Sequence, residues 1–334
     1  MRALGLLVTC IAAAALATGA GASELRVGSK RFTESYILGE LAVQAARADG
    51  AQATHRPGMG NTTILVEALR NDAIDVYPEY TGTIAREILK ADRDLSLSEI
   101  NARLAPSGLA AGIPLGFQNT YAIGVRERLA DQEGIVRLSD LAKHPDLRLG
   151  LSHEFLGRQD GWPGLAQAYS LSGLTPTALD HGLAYEALAA GKVDAVDLYS
   201  TDAKIARYGI RVLEDDRRFF PRYDALLLYR AQAPSRHPQA WAAIAKLEGR
   251  LDAATMIKLN ARAELDGIAF AEVAREHLAG KPGAIAAPRS LLSAIFAGDF
   301  GRLLAQHVGL VLASLGAAIV AGVPLGVAAA RHRL

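Results

Sequence analysis

Tyr80, Tyr121, Tyr199 and Tyr223 are the residues of this chain best suited to act together. All four fall at the ends of apolar, strand-like segments or where the chain crosses between two such regions. Tyrosine ring faces attract cations, so four rings around one space make an aromatic box for a quaternary ammonium. A tyrosine in such a place is equally an ordinary packing residue with its ring in the core. Tyr36, Tyr169, Tyr185, Tyr208 and Tyr229 read as packing residues within helices or strands. Lys30 and Arg158 offer the opposite chemistry. Lys30 precedes a helix starting near Thr33, where the positive helix terminus welcomes an anion and makes a lysine locally unfavourable. The plainer reading is a solvated turn lysine. Arg158 lies in the glycine-punctuated turn Phe155-Leu156-Gly157-Arg158-Gln159-Asp160-Gly161, and a guanidinium can clamp a carboxylate through two parallel hydrogen bonds. Thr83 adds a hydroxyl close to Tyr80.

Two of these tyrosines occur in a repeated phrase. Ala68 to Thr81 reads ALRNDAIDVYPEYT, and Ala187 to Ser200 reads ALAAGKVDAVDLYS. Aligned without gaps, Ala-Leu, an aliphatic-Asp pair (Ile74-Asp75, Val193-Asp194), the tyrosine and a following hydroxyl residue coincide. Such self-similarity predicts two related lobes, each presenting a tyrosine to a shared cleft.

Catalytic chemistry finds no support. The eight histidines are scattered, without the H-E-x-x-H spacing of a metal site. There is no G-x-S-x-G elbow and no P-loop. The acidic residues mostly have basic neighbours and read as a solvated face. No enzyme, metal or cofactor is expected, and a net charge of +1 without a basic cluster argues against nucleic acid.

The elements that position these residues alternate in type. Leu25 to Gly28, Ile74 to Tyr77, Tyr121 to Val125, Leu147 to Leu151, Val193 to Leu198 and Ala225 to Tyr229 read as strands. Between them Thr33 to Ala48, with Thr33 as N-cap, then Thr62 to Arg70, Thr81 to Leu89, Leu138 to Lys143, Gly164 to Tyr169 and Tyr185 to Ala190 read as helices. A helical region follows over Pro238 to Ala279. Repeated strand–turn–helix units predict α/β sheets that bind ligands beyond the carboxyl ends of their strands. The chain crosses between lobes near Asn119 and returns near Tyr223.

The two ends differ from this body. Met1 to Ala22 has a charged start, an apolar middle and a small-residue finish, which predicts an exported chain cleaved before Ser23. Cys10, the only cysteine, lies within that segment, so the mature chain is expected to have neither disulfide nor thiol site. Val308 to Ala330 carries no charge and is followed by Arg331-His332-Arg333. Length and basic flank predict a membrane span running from outside to inside.

Seven phrases carry a resemblance: GSKRFTESYILGEL (Gly28 to Leu41), GMGNTTILVEAL (Gly58 to Leu69), IDVYPEYTGT (Ile74 to Thr83), NTYAIGV (Asn119 to Val125), GRQDGWPGL (Gly157 to Leu165), VDAVDLYSTD (Val193 to Asp202) and LEDDRRFFPRYDALLLYR (Leu213 to Arg230). On these the chain resembles the substrate-binding proteins of ABC importers for glycine betaine, choline and proline betaine. The resemblance implies a two-lobed α/β fold of the type II periplasmic-binding-protein kind and no catalysis. It implies an ammonium cage of Tyr80, Tyr121, Tyr199 and Tyr223, with the carbonyl of Asn119 facing the same charge. It implies Lys30, Thr83 and Arg158 for the ligand carboxylate. Two cationic residues there would favour betaine over choline. The stretch Leu303 to Arg331 resembles the beginning of the permease subunit of these importers.

The expected organisation is a signal peptide at 1–22, lobe 1 at 24–118 and 226–289, and lobe 2 at 119–225. A linker at 290–306 and a transmembrane helix at 307–330 complete it. The expected partners are a quaternary-ammonium ligand, an ABC permease and its ATPase, and the cytoplasmic membrane, with the binding lobes in the periplasm. A membrane-tethered sensor of the same fold, or capture of choline or another amine, is the alternative.

Overall fold

The computed structural model describes residues 24–280 and 300–331. The expected signal peptide and residues 290–299 of the expected linker lie outside the described residues. The first unit carries two five-stranded sheets. One holds β1 (Leu25–Gly28), β2 (Ala53–Arg56), β3 (Val76–Tyr80), β4 (Leu109–Gly112) and the late strand β10 (Ala225–Arg230), in the order β2-β1-β3-β10-β4. The other holds β5 (Tyr121–Arg126), β6 (Leu149–Ser152), β7 (Thr177–Leu179), β8 (Ala195–Tyr199) and β9 (Ile210–Val212), in the order β7-β6-β8-β5-β9. The two orders are equivalent. In each sheet three parallel strands are followed by an antiparallel one, β10 or β5, that has just crossed from the other lobe.

The helices follow local signals. In α1 (Thr33–Ala48) Ile37, Leu38, Leu41 and Ala42 are buried at helical spacing, with Glu34 in the first turn and Arg47 in the last, the signs a helix dipole favours. The N-cap is Phe32 rather than Thr33, and its side chain makes no cap hydrogen bond. Thr33 is instead the first helical residue. Before α2 (Thr62–Arg70), Asn61 caps the helix by accepting from the Ile64 amide at 3.3 Å. The segment after β3, expected as one helix, is a short turn at Thr81–Thr83 running into a π-helix at Ile84–Ile88. Leu138–Lys143 is a 3₁₀ rather than an α-helix. Later helices used below are α3 (His153–Gly157) and α4 (His181–Ala189).

The repeated phrase builds the same device twice. Asp75, just before β3, accepts from the Arg26 amide at 2.9 Å, Nε at 2.9 Å and Nη2 at 2.8 Å. Asp194, just before β8, accepts from the same three groups of Arg148 at 3.0, 2.8 and 2.9 Å. Each aspartate thereby fixes its strand against the neighbouring parallel strand. The hydroxyl residue that ends each phrase clamps a crossing segment. Thr81 donates its amide to the Asp224 carbonyl at 3.0 Å, and its Oγ1 accepts from the Asp224 amide at 3.0 Å. Ser200 does the same with Thr120, at 2.9 and 3.1 Å.

The second unit, described from residue 300, is one helix, α5 (Phe300–Arg331), 32 residues long with Pro324 inside it. At 1.5 Å per residue it is about 48 Å long. Within Leu304–Arg331 an 18-residue window reaches a mean hydropathy of 2.2, and the helix is long and apolar enough to cross a membrane. The helix takes in residues 300–306, which were expected as linker.

Candidate ligand-binding site

Three of the four tyrosines meet. Tyr121 and Tyr199 are direct partners across the β5–β8 ladder, with ring centroids 5.1 Å apart and planes 52° apart. Tyr223, on the returning segment, meets Tyr121 edge-on at 5.6 Å. Gly82 permits this placement. A Cβ there would lie 2.6 Å from the Tyr223 ring and 2.7 Å from the Arg222 carbonyl oxygen. Phe155 at 5.0 Å and Phe220 at 6.4 Å extend the aromatic surface around Tyr121, and Phe32 lies 5.3 Å from Tyr199. His181, at the start of α4, packs 4.4 Å from Tyr199.

Tyr80 stands apart, with no ring contact to the other three among the described residues. Its hydroxyl donates to Glu34 Oε1 at 2.5 Å, and Lys30 Nζ lies 5.7 Å from its ring centroid. Glu34 is a buried hub. Its Oε1 also accepts from Asn119 Nδ2 at 2.9 Å, and its Oε2 accepts from Thr201 Oγ1 at 2.6 Å and Asn260 Nδ2 at 3.3 Å. Burial raises its pKa above the ordinary carboxylate value, and the four donors oppose that rise. The hub ties a tyrosine of the first sheet to the crossing residue Asn119 and to Thr201, which follows β8.

Both expected carboxylate-binding cations are buried and already have acidic partners. Lys30 Nζ pairs with Glu79 Oε1 at 2.7 Å. Arg158 bonds Asp160 through Nε at 2.8 Å and also through Nη2, and it reaches Glu154 Oε1 through Nη1 at 3.3 Å. Its Nη2 lies 3.4 Å from Thr83 Oγ1, so Thr83 and Arg158 do meet across the lobes. The Arg158 guanidinium also sits 5.4 Å from the Tyr121 ring. Tyr223 donates to Asp160 Oδ2 at 2.8 Å, which locks that carboxylate.

These acids correct the reading of acidic residues as a solvated face. Glu34, Glu79, Asp160 and Asp197 are all buried. Glu34, Glu79 and Asp197 escape that reading because their partners are remote, Glu79 and Lys30 being 49 residues apart, whereas Asp160 pairs with the nearby Arg158. All five residues of β3 are buried, so Glu79 occupies a strand with both faces covered. Lys30 and Arg158 together face Glu79, Glu154 and Asp160, so charge at this end of the cleft does not favour an anion. The two cations expected for a ligand carboxylate are therefore already paired within the protein rather than free.

A cleft of about 330 Å³ opens beside these groups, and of the expected site residues Lys30 and Tyr199 line it. Lys30, Phe32, Asn61, Ser152, Glu154 and Tyr199 are among the residues lining it. It lies beyond the carboxyl ends of β1 and β6, at helix starts, as such sheets predict. Among the described residues no cluster of acidic residues, histidines or cysteines could hold a metal ion.

Two lobes of equivalent topology around an aromatic cleft define a two-lobed binding protein of the type II periplasmic kind. A solved structure described as a glycine betaine/carnitine/choline ABC transporter supports that fold, with a TM-score of 0.61 and 30% identity over 77% of this chain and 98% of its own. Residues 23–280 match the model for the substrate binding domain of ABC-type glycine betaine transport systems, and the chain belongs to that family. It is a substrate-binding component of such an importer, not an enzyme. A glycine-betaine-binding protein of Pseudomonas aeruginosa is 33% identical over 287 residues, covering 80% of this chain and 92% of that protein. An ergothioneine transport permease and binding protein of Helicobacter pylori is 31% identical over 247 residues, 72% of this chain. The aligned region is only 44% of that longer relative.

Proposed function

We propose that the cleft captures a quaternary-ammonium osmolyte, with glycine betaine as the first candidate, for delivery to an ABC permease and its ATPase. The observation that carries this is the contact set Tyr121–Tyr199–Tyr223 with Arg158 at its edge. The ammonium sits against those rings, with Tyr80 and the Asn119 carbonyl completing the cage. Lys30, Thr83 and Arg158 take the carboxylate. Each ring contact contributes about 0.5–2 kcal/mol, and each charge-assisted hydrogen bond about 1.5–3 kcal/mol. The similarity to the Pseudomonas aeruginosa protein supports glycine betaine. The three carboxylates around Lys30 and Arg158 favour choline as a second reading.

The same proposal covers the ends and the lobes. Residues 1–22 export the chain. Residues 24–118 with 226–289, and 119–225, form lobes that work outside the cytoplasmic membrane. α5 anchors them there, with the basic residues from Arg331 on the cytoplasmic side. Its likeness to the start of a permease and the fused Helicobacter pylori relative support a link between binding and transport modules.

Calorimetric titration of the purified full chain with glycine betaine, choline and carnitine tests the reading. Saturable binding of one ligand per chain is expected for at least one of them. Binding of none contradicts it.

A further inference from the structure

Glu154 stands where the proposed site would hold a ligand carboxylate. It lies in the first turn of α3, beside the same cleft as Lys30 and Tyr199. Arg158 commits Nε and Nη2 to Asp160, and Glu154 Oε1 holds the remaining Nη1 at 3.3 Å. The same oxygen accepts from Thr62 Oγ1 at 3.1 Å, across to the other lobe. Burial opposes charge on Glu154, but Lys30 and Arg158 more than offset it, so its carboxyl stays below the ordinary range and ionised. A ligand with its ammonium on the rings and its carboxylate toward Lys30 and Arg158 would bring two like charges side by side. At about 4 Å such a pair repels by several times the thermal energy even when partly screened. A ligand hydroxyl in that place would donate to Glu154 instead.

We propose that Glu154 is a specificity-determining residue, which substitutes internally for the ligand carboxylate and sets the balance between zwitterions and bare cations. This rests on the reading of the cleft as a quaternary-ammonium site. The carboxylate side of the site is thus self-neutralised. A zwitterion must displace Glu154 from Arg158 to gain its own ion pair, whereas a bare cation leaves that pair intact.

The test is titration of the full chain, native and Glu154→Gln, with glycine betaine, choline and betaine amide, the uncharged-carboxamide analogue of betaine. In Glu154→Gln the betaine-to-choline affinity ratio should rise about tenfold. A ratio within about twofold of native overturns the proposal. Thr62→Val removes the same lobe-to-lobe hydrogen bond without changing charge, and should leave the ratio within about twofold while shifting both affinities together. A Thr62→Val ratio that rises as in Glu154→Gln overturns it too. The native chain gives a second measurement that needs no variant to fold. It should bind betaine no more than about twofold tighter than betaine amide, and a preference above about tenfold overturns the proposal. Failure of the native chain to bind any of the three ligands would instead sink the ammonium reading itself.

Discussion

His181 shows how single side chains around the cage are tuned. Burial lowers its pKa, but Asp202, bonded at 3.1 Å, with Asp197 and Glu264 nearby, outweighs this and raises it to about 9. Asp202 also accepts from the Tyr199 amide at 2.9 Å and from the Tyr185 hydroxyl, so it couples the histidine to the cage strand. A folded-state pKa above the unfolded value of about 6.5 means stability that is fully present below pH ~6.5. That stability is lost as pH rises through about 9. Unfolding experiments on the native chain should show a loss of about 2–3 kcal/mol between pH 6.5 and 10. His181→Gln should flatten that loss, and parallel profiles would show that other groups titrate there. At this scale the sequence exposed the tyrosines and not the buried carboxylates beside them. The tyrosines stand out because aromatic residues at strand ends are few. Glu34 and Glu79 do not, because a carboxylate's burial depends on a partner that folding brings from far along the chain.

At the level of elements, the repeat is a structural instruction before it is a binding one. Its aspartate ties β3 to Arg26 and β8 to Arg148, and its tyrosine then emerges at the strand end. The two clamps differ in burial. The Arg26 side chain is 19% exposed and Asp75 1%, whereas Arg148 is 56% exposed and Asp194 11%. Removing Asp75 leaves the largely buried Arg26 with only the more exposed Asp72 as an acidic partner, while Arg148 can turn to water. Asp75→Ala should therefore lower unfolding stability by about 3–5 kcal/mol. Asp194→Ala should cost about 1–2 kcal/mol; equal losses in chemical denaturation would contradict this. The central strands β1, β3, β5, β6, β8 and β10 and the long amphipathic helices were legible because hydrophobic periodicity is local. β2, β4, β7 and β9 were not, since strands of three or four residues hold little pattern and are defined by their neighbours in the sheet. The π-helix after β3 was equally hidden, because its apolar spacing reads as an ordinary helix.

Across the whole binding unit, two sheets of one topology exchange a strand segment each way, and two hydroxyl clamps fix the crossings. Glu34 links both sheets at that point, and Glu154 and Arg158 reach across the cleft to Thr62 and Thr83. Ligand capture and lobe contact thus use the same residues, which suits a protein whose bound form must be recognised by a membrane partner. The central claim is that Tyr121, Tyr199 and Tyr223 recognise positive charge rather than apolar shape. It is tested most directly by titrating the full chain with choline and with 3,3-dimethylbutan-1-ol, which replaces the ammonium nitrogen by carbon. Choline should bind at least about tenfold more tightly than the alcohol, reflecting desolvated ring-face contacts. Affinities within about twofold of one another would contradict a cation cage and leave a merely apolar pocket.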